Sequence, residues 1–297
     1  MIKILKLILF IVFLIYQTFA FSKTTDNTDF NPKYLSNYLS GIISQNNQNS
    51  YDSAKYFNSS KILINKHEKY LKKYVTTLTI NGQVQKSINL IKQNEGKKNS
   101  KFFEAKLLLL IDNFKKRKFR QNIKLLFELE RYKHYGNEEY IIYEVLRDYN
   151  DLFLTRKPIV NKQNFGKLSS INEVFQYCYL NLPETNSKFI NLINSSEAYT
   201  RYLFFYLNNL IRNKDFKSAQ KISKTINVLD SNLLIQQSKQ WVDKENYNKF
   251  NEIFSCKSEA DILAEFFFLI SNFLLGDENF EKSNFYSNIS NYLNPKF

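Results

Sequence analysis

The sequence predicts an all-α protein: an α-solenoid of helix-turn-helix repeats. Three observations predict it. The chain of 297 residues has only 6 Gly and 4 Pro, against ordinary usage of roughly 7% and 5%. Sandwiches, barrels and collagen-like chains need far more turn residues, so they are excluded. Hydrophobic residues make up 43%, with 27 Phe and 20 Tyr, enough for a sizeable core and too much for wholesale disorder. Apolar residues also recur at helical spacing in several separated copies.

Residues 1–20 read as an export address. Lys3 and Lys6 form a basic head, Leu7 to Tyr16 is apolar without interruption, and Thr18-Phe19-Ala20 places small residues at a cleavage site. The apolar run is shorter than the ~20 residues of a spanning helix. A cleaved signal peptide is the first expectation and an uncleaved N-terminal anchor the second. Cleavage removes two lysines from the net charge of +14, leaving 14 − 2 = +12. Residues 21–32 are polar, end in Pro32 and read as a linker.

The body carries a repeat. Leu71, Tyr74, Leu78, Ser87 and Ile91 are separated by 3, 4, 9 and 4 residues. Leu203, Tyr206, Leu210, Ala219 and Ser223 repeat those steps, as do Phe267, Ile270, Leu274, Ser283 and Ser287. Leu234, Gln237, Trp241, Phe250 and Phe254 repeat them with two slots altered. Steps of 3 and 4 keep residues on one helix face. The step of 9 crosses a tight turn onto the inner face of a second helix, where a small residue admits close approach. The turns Asn81-Gly82-Gln83, Asn213-Lys214-Asp215 and Gly276-Asp277-Glu278 carry matching chemistry. Gly41, Ser53, Phe57 and Ser60 fill the slots of a further copy.

These residues resemble the tetratricopeptide repeat. The stretches Asn213 to Ala219 and Asn279 to Ser283 are similar to the opening of that family's second helix, and Asn294-Pro295 to its closing proline. The first small slot recurs at Ser53, Ser87, Asn122, Ala219, Phe250 and Ser283, at intervals of 34, 35, 97, 31 and 33. The family period is about 34. The resemblance implies a right-handed superhelix with TPR-like repeats over 33–131 and 198–297, and degenerate helical repeats over 132–197. Asn122 and Phe250 depart from the pattern, and tryptophan is mostly missing from the first large slot. Another kind of α-α solenoid is the alternative.

In the middle, Glu138 to Leu154 and Ser170 to Leu182 have helical period. Lys157-Pro158 and Asn164-Phe165-Gly166 break the chain between them, and Pro183 ends the second. Ile262 to Leu275 is too short for a membrane span and is interrupted by Glu265, Ser271 and Asn272; it reads as a repeat helix packed on both sides. No capping helix follows Tyr292. Solenoids end in polar caps, so either this end docks on a partner or subunit, or the chain is a fragment of a longer array.

Catalytic and metal signatures are missing. There is no dinucleotide or phosphate loop, nucleophile elbow or zincin motif. Glu138-Glu139 suits a helix start, and His67 and His134 read as surface residues. Cys178 and Cys256 sit in no metal-ligand spacing. A disulfide between them is conceivable if the chain is exported. In a solenoid, however, residues 78 apart lie more than two repeats away, which favours free buried thiols. No cofactor or metal is expected, and no enzymatic activity.

The expected function is a non-catalytic TPR-like protein-protein interaction scaffold in the bacterial cell envelope, periplasmic or anchored in the inner membrane and facing the periplasm. In this family first helices line the groove. That logic points Lys72, Thr76, Arg201, Asn208, Arg212 and Lys239 at a protein or peptide ligand. The set is polar and mostly basic, suited to carboxylates. The alternative is a membrane-anchored basic solenoid on an anionic surface or nucleic acid, favoured by Lys+Arg 42 against Asp+Glu 28. An export signal argues against nucleic acid.

Overall fold

The computed structural model describes residues 31–132, 137–159, 163–195, 201–227 and 231–296. Among them are fifteen α-helices, short 3-10 turns and no strand. The export segment 1–20, most of the linker and His134 lie outside the described residues. None of the described helices is long and apolar enough to cross a membrane.

The helices are α1 (Pro32–Asn46), α2 (Ser50–Ser59), α3 (Tyr70–Ile80), α4 (Val84–Gln93), α5 (Phe103–Lys115), α6 (Phe119–Leu129), α7 (Glu138–Thr155), α8 (Lys167–Leu180), α9 (Thr185–Asn194), α10 (Tyr202–Arg212), α11 (Phe216–Thr225), α12 (Leu233–Asp243), α13 (Asn248–Ile253), α14 (Glu259–Gly276) and α15 (Phe280–Leu293). All but α7 pair into seven hairpins, and the seven hairpins share one turn. A residue in the left-handed region follows the first helix: Gln48, Gly82, Arg117, Asn181, Lys214, Glu245 or Glu278. The next amide then donates back to the carbonyl five residues earlier, as Asn49 to Ser44 at 2.8 Å, Asp215 to Leu210 at 2.9 Å and Asn279 to Leu274 at 2.9 Å. This 6→1 bond satisfies a helix-end carbonyl. In three turns the same residue caps the second helix. Asn49, Asp215 and Asn279 accept from the amides of Asp52, Ser218 and Lys282. One helix is thus stopped and the next started within three residues.

The register read from the sequence holds across these hairpins. Ser53 Oγ donates to the Gly41 carbonyl at 2.8 Å and Ser87 Oγ to the Val75 carbonyl at 3.1 Å, both twelve residues back. A Cβ on Gly41 would stand 3.0 Å from Phe57 Cε1, so a glycine is needed for close approach. The two misfits have partners. Asn122 is fully buried and its Nδ2 donates to Asn150 Oδ1 of α7 at 3.0 Å. Phe250 is stacked on Phe204 and met edge-on by Trp241. Two expected inner positions are corrected: Gln237 and Ser287 are exposed. On α12 the buried face is Ile235, Ser238 and Val242, one residue round, with Trp241 against Phe250. On α15 it is Phe285, Tyr286 and Ile289.

Within the 97-residue interval, the stretch 132–197 expected to hold degenerate repeats carries three helices: the long single helix α7 and the hairpin α8–α9. Pro183 sits in the turn of that hairpin, and α9 packs on both α8 and α10.

The thiol expectation is overturned. Cys178 and Cys256 form a disulfide with their Cα atoms 5.7 Å apart. The solenoid distance argument assumed that each repeat touches only its neighbours. Here the segment after α13 folds back beside α8, where Phe254 packs on Phe175 and Phe205.

The same folding back governs the last hairpin. Helix α15 packs on α3, α4 and α5, and α14 on α5. Asn288 Nδ2 donates to the Ile80 carbonyl, and the Tyr292 hydroxyl to Gln85 Oε1 and Asp112 Oδ1. The face of α15 that lacks a cap in the sequence is therefore covered by the chain's own N-terminal repeats. Helix α14 is buried on all sides from Ile262 to Phe267 and on one face from there to Leu274, with Phe273 exposed.

Candidate functional site

Two of the six residues pointed at a groove share one cleft. Lys72 and Thr76 of α3 line a cavity of 240 Å³ with Phe103, Glu104, Lys282 and Tyr286 among its walls. It lies where α15 closes against α3 and α5. Lys72 Nζ pairs with Glu104 Oε1 at 2.9 Å. Lys282 of α15 is bonded to Glu138 and stands 4.0 Å from Glu139, both in the first turn of α7. Burial works against the Lys282 charge, but these carboxylates outweigh it and hold its pKa above the ordinary lysine value. The Tyr286 hydroxyl is driven well above its ordinary pKa, chiefly by burial. The ion pairs at the cleft tie α3 to α5 and α15 to α7, while Gln45 Oε1, Glu104 Oε2 and Glu139 Oε2 are buried without a hydrogen-bond partner.

The other four lie apart and each bonds to the chain itself, although Asn208 Oδ1, Arg212 Nε and Arg212 Nη1 are buried without a hydrogen-bond partner. Arg201, just before α10, grips Glu265 of α14 with Nε to Oε1 at 3.2 Å and Nη2 to Oε2 at 2.9 Å. Glu265 is completely buried. Burial raises its pKa, and the guanidinium opposes that rise. Asn208 Nδ2 donates to the Phe254 carbonyl at 2.9 Å. Arg212 Nη2 donates to the Cys178 carbonyl, Asn181 Oδ1 and Asn209 Oδ1. Burial among these neutral acceptors lowers its pKa. Lys239 donates to the Ser223 carbonyl and pairs with Asp243 at 3.2 Å.

What the sequence reading missed is the acidic partner set carried by α7 and the last hairpin. Glu259 is the clearest case. Its Oε1 accepts from Tyr179 at 2.8 Å and from Arg117 at 2.9 Å, with Arg156 at 3.5 Å. A carboxylate opening a largely apolar helix was the available signal. Such a helix lies inside a fold, and a charge entering with it needs partners.

A further described region has the shape of a binding surface. The connector between α4 and α5 is flanked by two clefts, of 310 Å³ and 380 Å³. The first is lined by residues 64–68 and 97–99. The second lies between Lys101, Lys106 and the C-terminal half of α6.

No protein-family model matches the chain, no curated protein matches it, and no solved structure matches it. Nothing in these comparisons identifies the chain as a tetratricopeptide-repeat protein. No group of three or more His, Cys, Asp or Glu side chains suited to a metal ion occurs among the described residues.

Proposed function

We propose that the chain is an exported, TPR-like helical-repeat scaffold that holds protein or peptide partners together in the bacterial cell envelope without performing a reaction. The observation that carries this reading is the sevenfold reuse of one hairpin turn in one register. Stacked hairpins of this kind build an extended rigid surface from quasi-equivalent units, which is the architecture of adaptors. The N-terminal pattern of a basic head and apolar run supports export. So does the Cys178–Cys256 disulfide, because disulfides persist in oxidising compartments and are rare in the cytosol.

The bonds that Arg201, Asn208, Arg212 and Lys239 make within the chain favour partner binding on the outer edges over the interior of the array. The test is in-cell crosslinking of the tagged protein, followed by identification of what co-purifies from the envelope fraction. A reproducible envelope protein supports the scaffold. Recovery in the cytosol with nucleic acid refutes it.

A further inference from the structure

The edge formed by the connectors between the first three hairpins is a basic surface with an apolar anchor point. Asn99 Nδ2 donates to the Ile64 carbonyl and Lys97 Nζ to Asn65 Oδ1, which joins the connector after α2 to the one after α4. The second cleft continues that surface to α6. It carries four cations, Lys101, Lys106, Lys124 and Arg131, against two carboxylates, Glu95 and Glu128. Lys106 is held by Glu128 at 2.5 Å. Lys101, Lys124 and Arg131 have no carboxylate partner among the described residues. Beside them Ile123 and Phe127, one helical turn apart on α6, are 59% and 64% exposed. Exposed apolar pairs rimmed by charge mark interaction sites.

We infer that this edge docks an acidic peptide segment of a partner protein. Carboxylates of the segment meet Lys101, Lys124 and Arg131, and an apolar side chain seats on Ile123 and Phe127. The inference rests on the scaffold reading and names the chemistry of its partner. Charge complementarity selects an acidic occupant. The recessed cleft and the apolar pair select a peptide over a flat anionic surface.

The experiment uses the full chain and a short fluorescein-labelled peptide in which pairs of glutamates alternate with leucine and phenylalanine. Binding is read by fluorescence anisotropy. The wild type binds saturably. The double variant Lys101→Glu with Lys124→Glu loses affinity by at least about tenfold and loses most of the salt dependence. Phe127→Ser loses affinity while keeping the salt dependence. All three positions are exposed, so folding is retained, and circular dichroism checks this. The distant Lys217→Glu, exposed on α11, binds as wild type does. The inference is overturned if the peptide fails to bind, or if both edge variants bind unchanged. It is also overturned if Phe127→Ser is silent while the double variant stops binding single-stranded DNA or anionic vesicles, which would make the edge a polyanion surface. If the crosslinked envelope partner is retained by the double variant, the edge is wrong and the scaffold stands. If the wild type captures no partner, the scaffold reading itself fails.

Discussion

Reducing the Cys178–Cys256 bond should destabilise the protein by several kcal/mol. The bond closes a segment of 78 residues. The chain-entropy relation for a loop of that length predicts about 4.5 kcal/mol at 25 °C. At roughly 2 °C per kcal/mol for a chain of this size, the midpoint of thermal unfolding falls by about 9 °C. Both cysteines are fully buried, so reduction needs an opening of the α8 to α13 region, and intact native protein should resist mild reductant. The assay compares thermal melts of oxidised protein with protein reduced under denaturing conditions and refolded. Hydrogen exchange then locates the change, which should be greatest from α9 to α13, the elements inside the loop. Coincident melts of the two forms would refute the reasoning. Two free thiols titrated in protein freshly isolated from the envelope fraction would refute it at its first step.

Three further outcomes follow from the packing. Burial pushes the Asp148 carboxyl up from 3.8 to about 6, against the pull of Arg147. The folded state therefore binds this proton more tightly than the unfolded chain, and the stability that this provides is lost as pH rises from 4 through 6. At about 1.4 kcal/mol per pH unit, Asp148→Asn should stabilise the protein by up to about 3 kcal/mol at pH 8 and leave it unchanged at pH 4, as urea titrations at the two pH values would show. Gly41→Ala gains about 1 kcal/mol of helix propensity but drives a methyl into the buried Phe57 ring, an overpacking cost of about 1–3 kcal/mol. A net loss is expected, and a raised melting temperature would contradict the contact. Arg201→Met leaves Glu265 buried without its partner, a loss of about 3–5 kcal/mol. Arg201→Met with Glu265→Leu should recover most of it, measured as a double-mutant cycle.

Local rules made the helices and their turns legible. Steps of 3 and 4 follow from helix geometry. The short polar turns follow from the need to stop one helix and cap the next within three residues, as Asp215 and Asn279 do. The apolarity of Ile262 to Leu275 indicated a helix enclosed on both sides, which holds from Ile262 to Phe267, whereas Asn272, Phe273 and Leu275 are exposed. The α8–α9 hairpin was harder to see, because Pro183 occupies its turn and the slot for a small residue holds Asn186.

The pairing of distant parts was decided only by tertiary structure. Nothing near Cys178 indicates that the segment after α13 returns to it, and nothing near Arg201 names Glu265, 64 residues away. A repeat pattern encodes contacts between neighbouring helices, because each hairpin must bury its own inner face. It does not encode where the array curves back on itself, since that depends on small rotations accumulated over many hairpins. The surface residues Lys72, Arg201, Arg212 and Lys239 therefore looked available in the sequence. The folding back of the last hairpin gave Arg201 its partner Glu265, while Lys72, Arg212 and Lys239 found theirs on neighbouring helices or their own, and the connector edge, with Lys101, Lys124 and Arg131, was left facing outward.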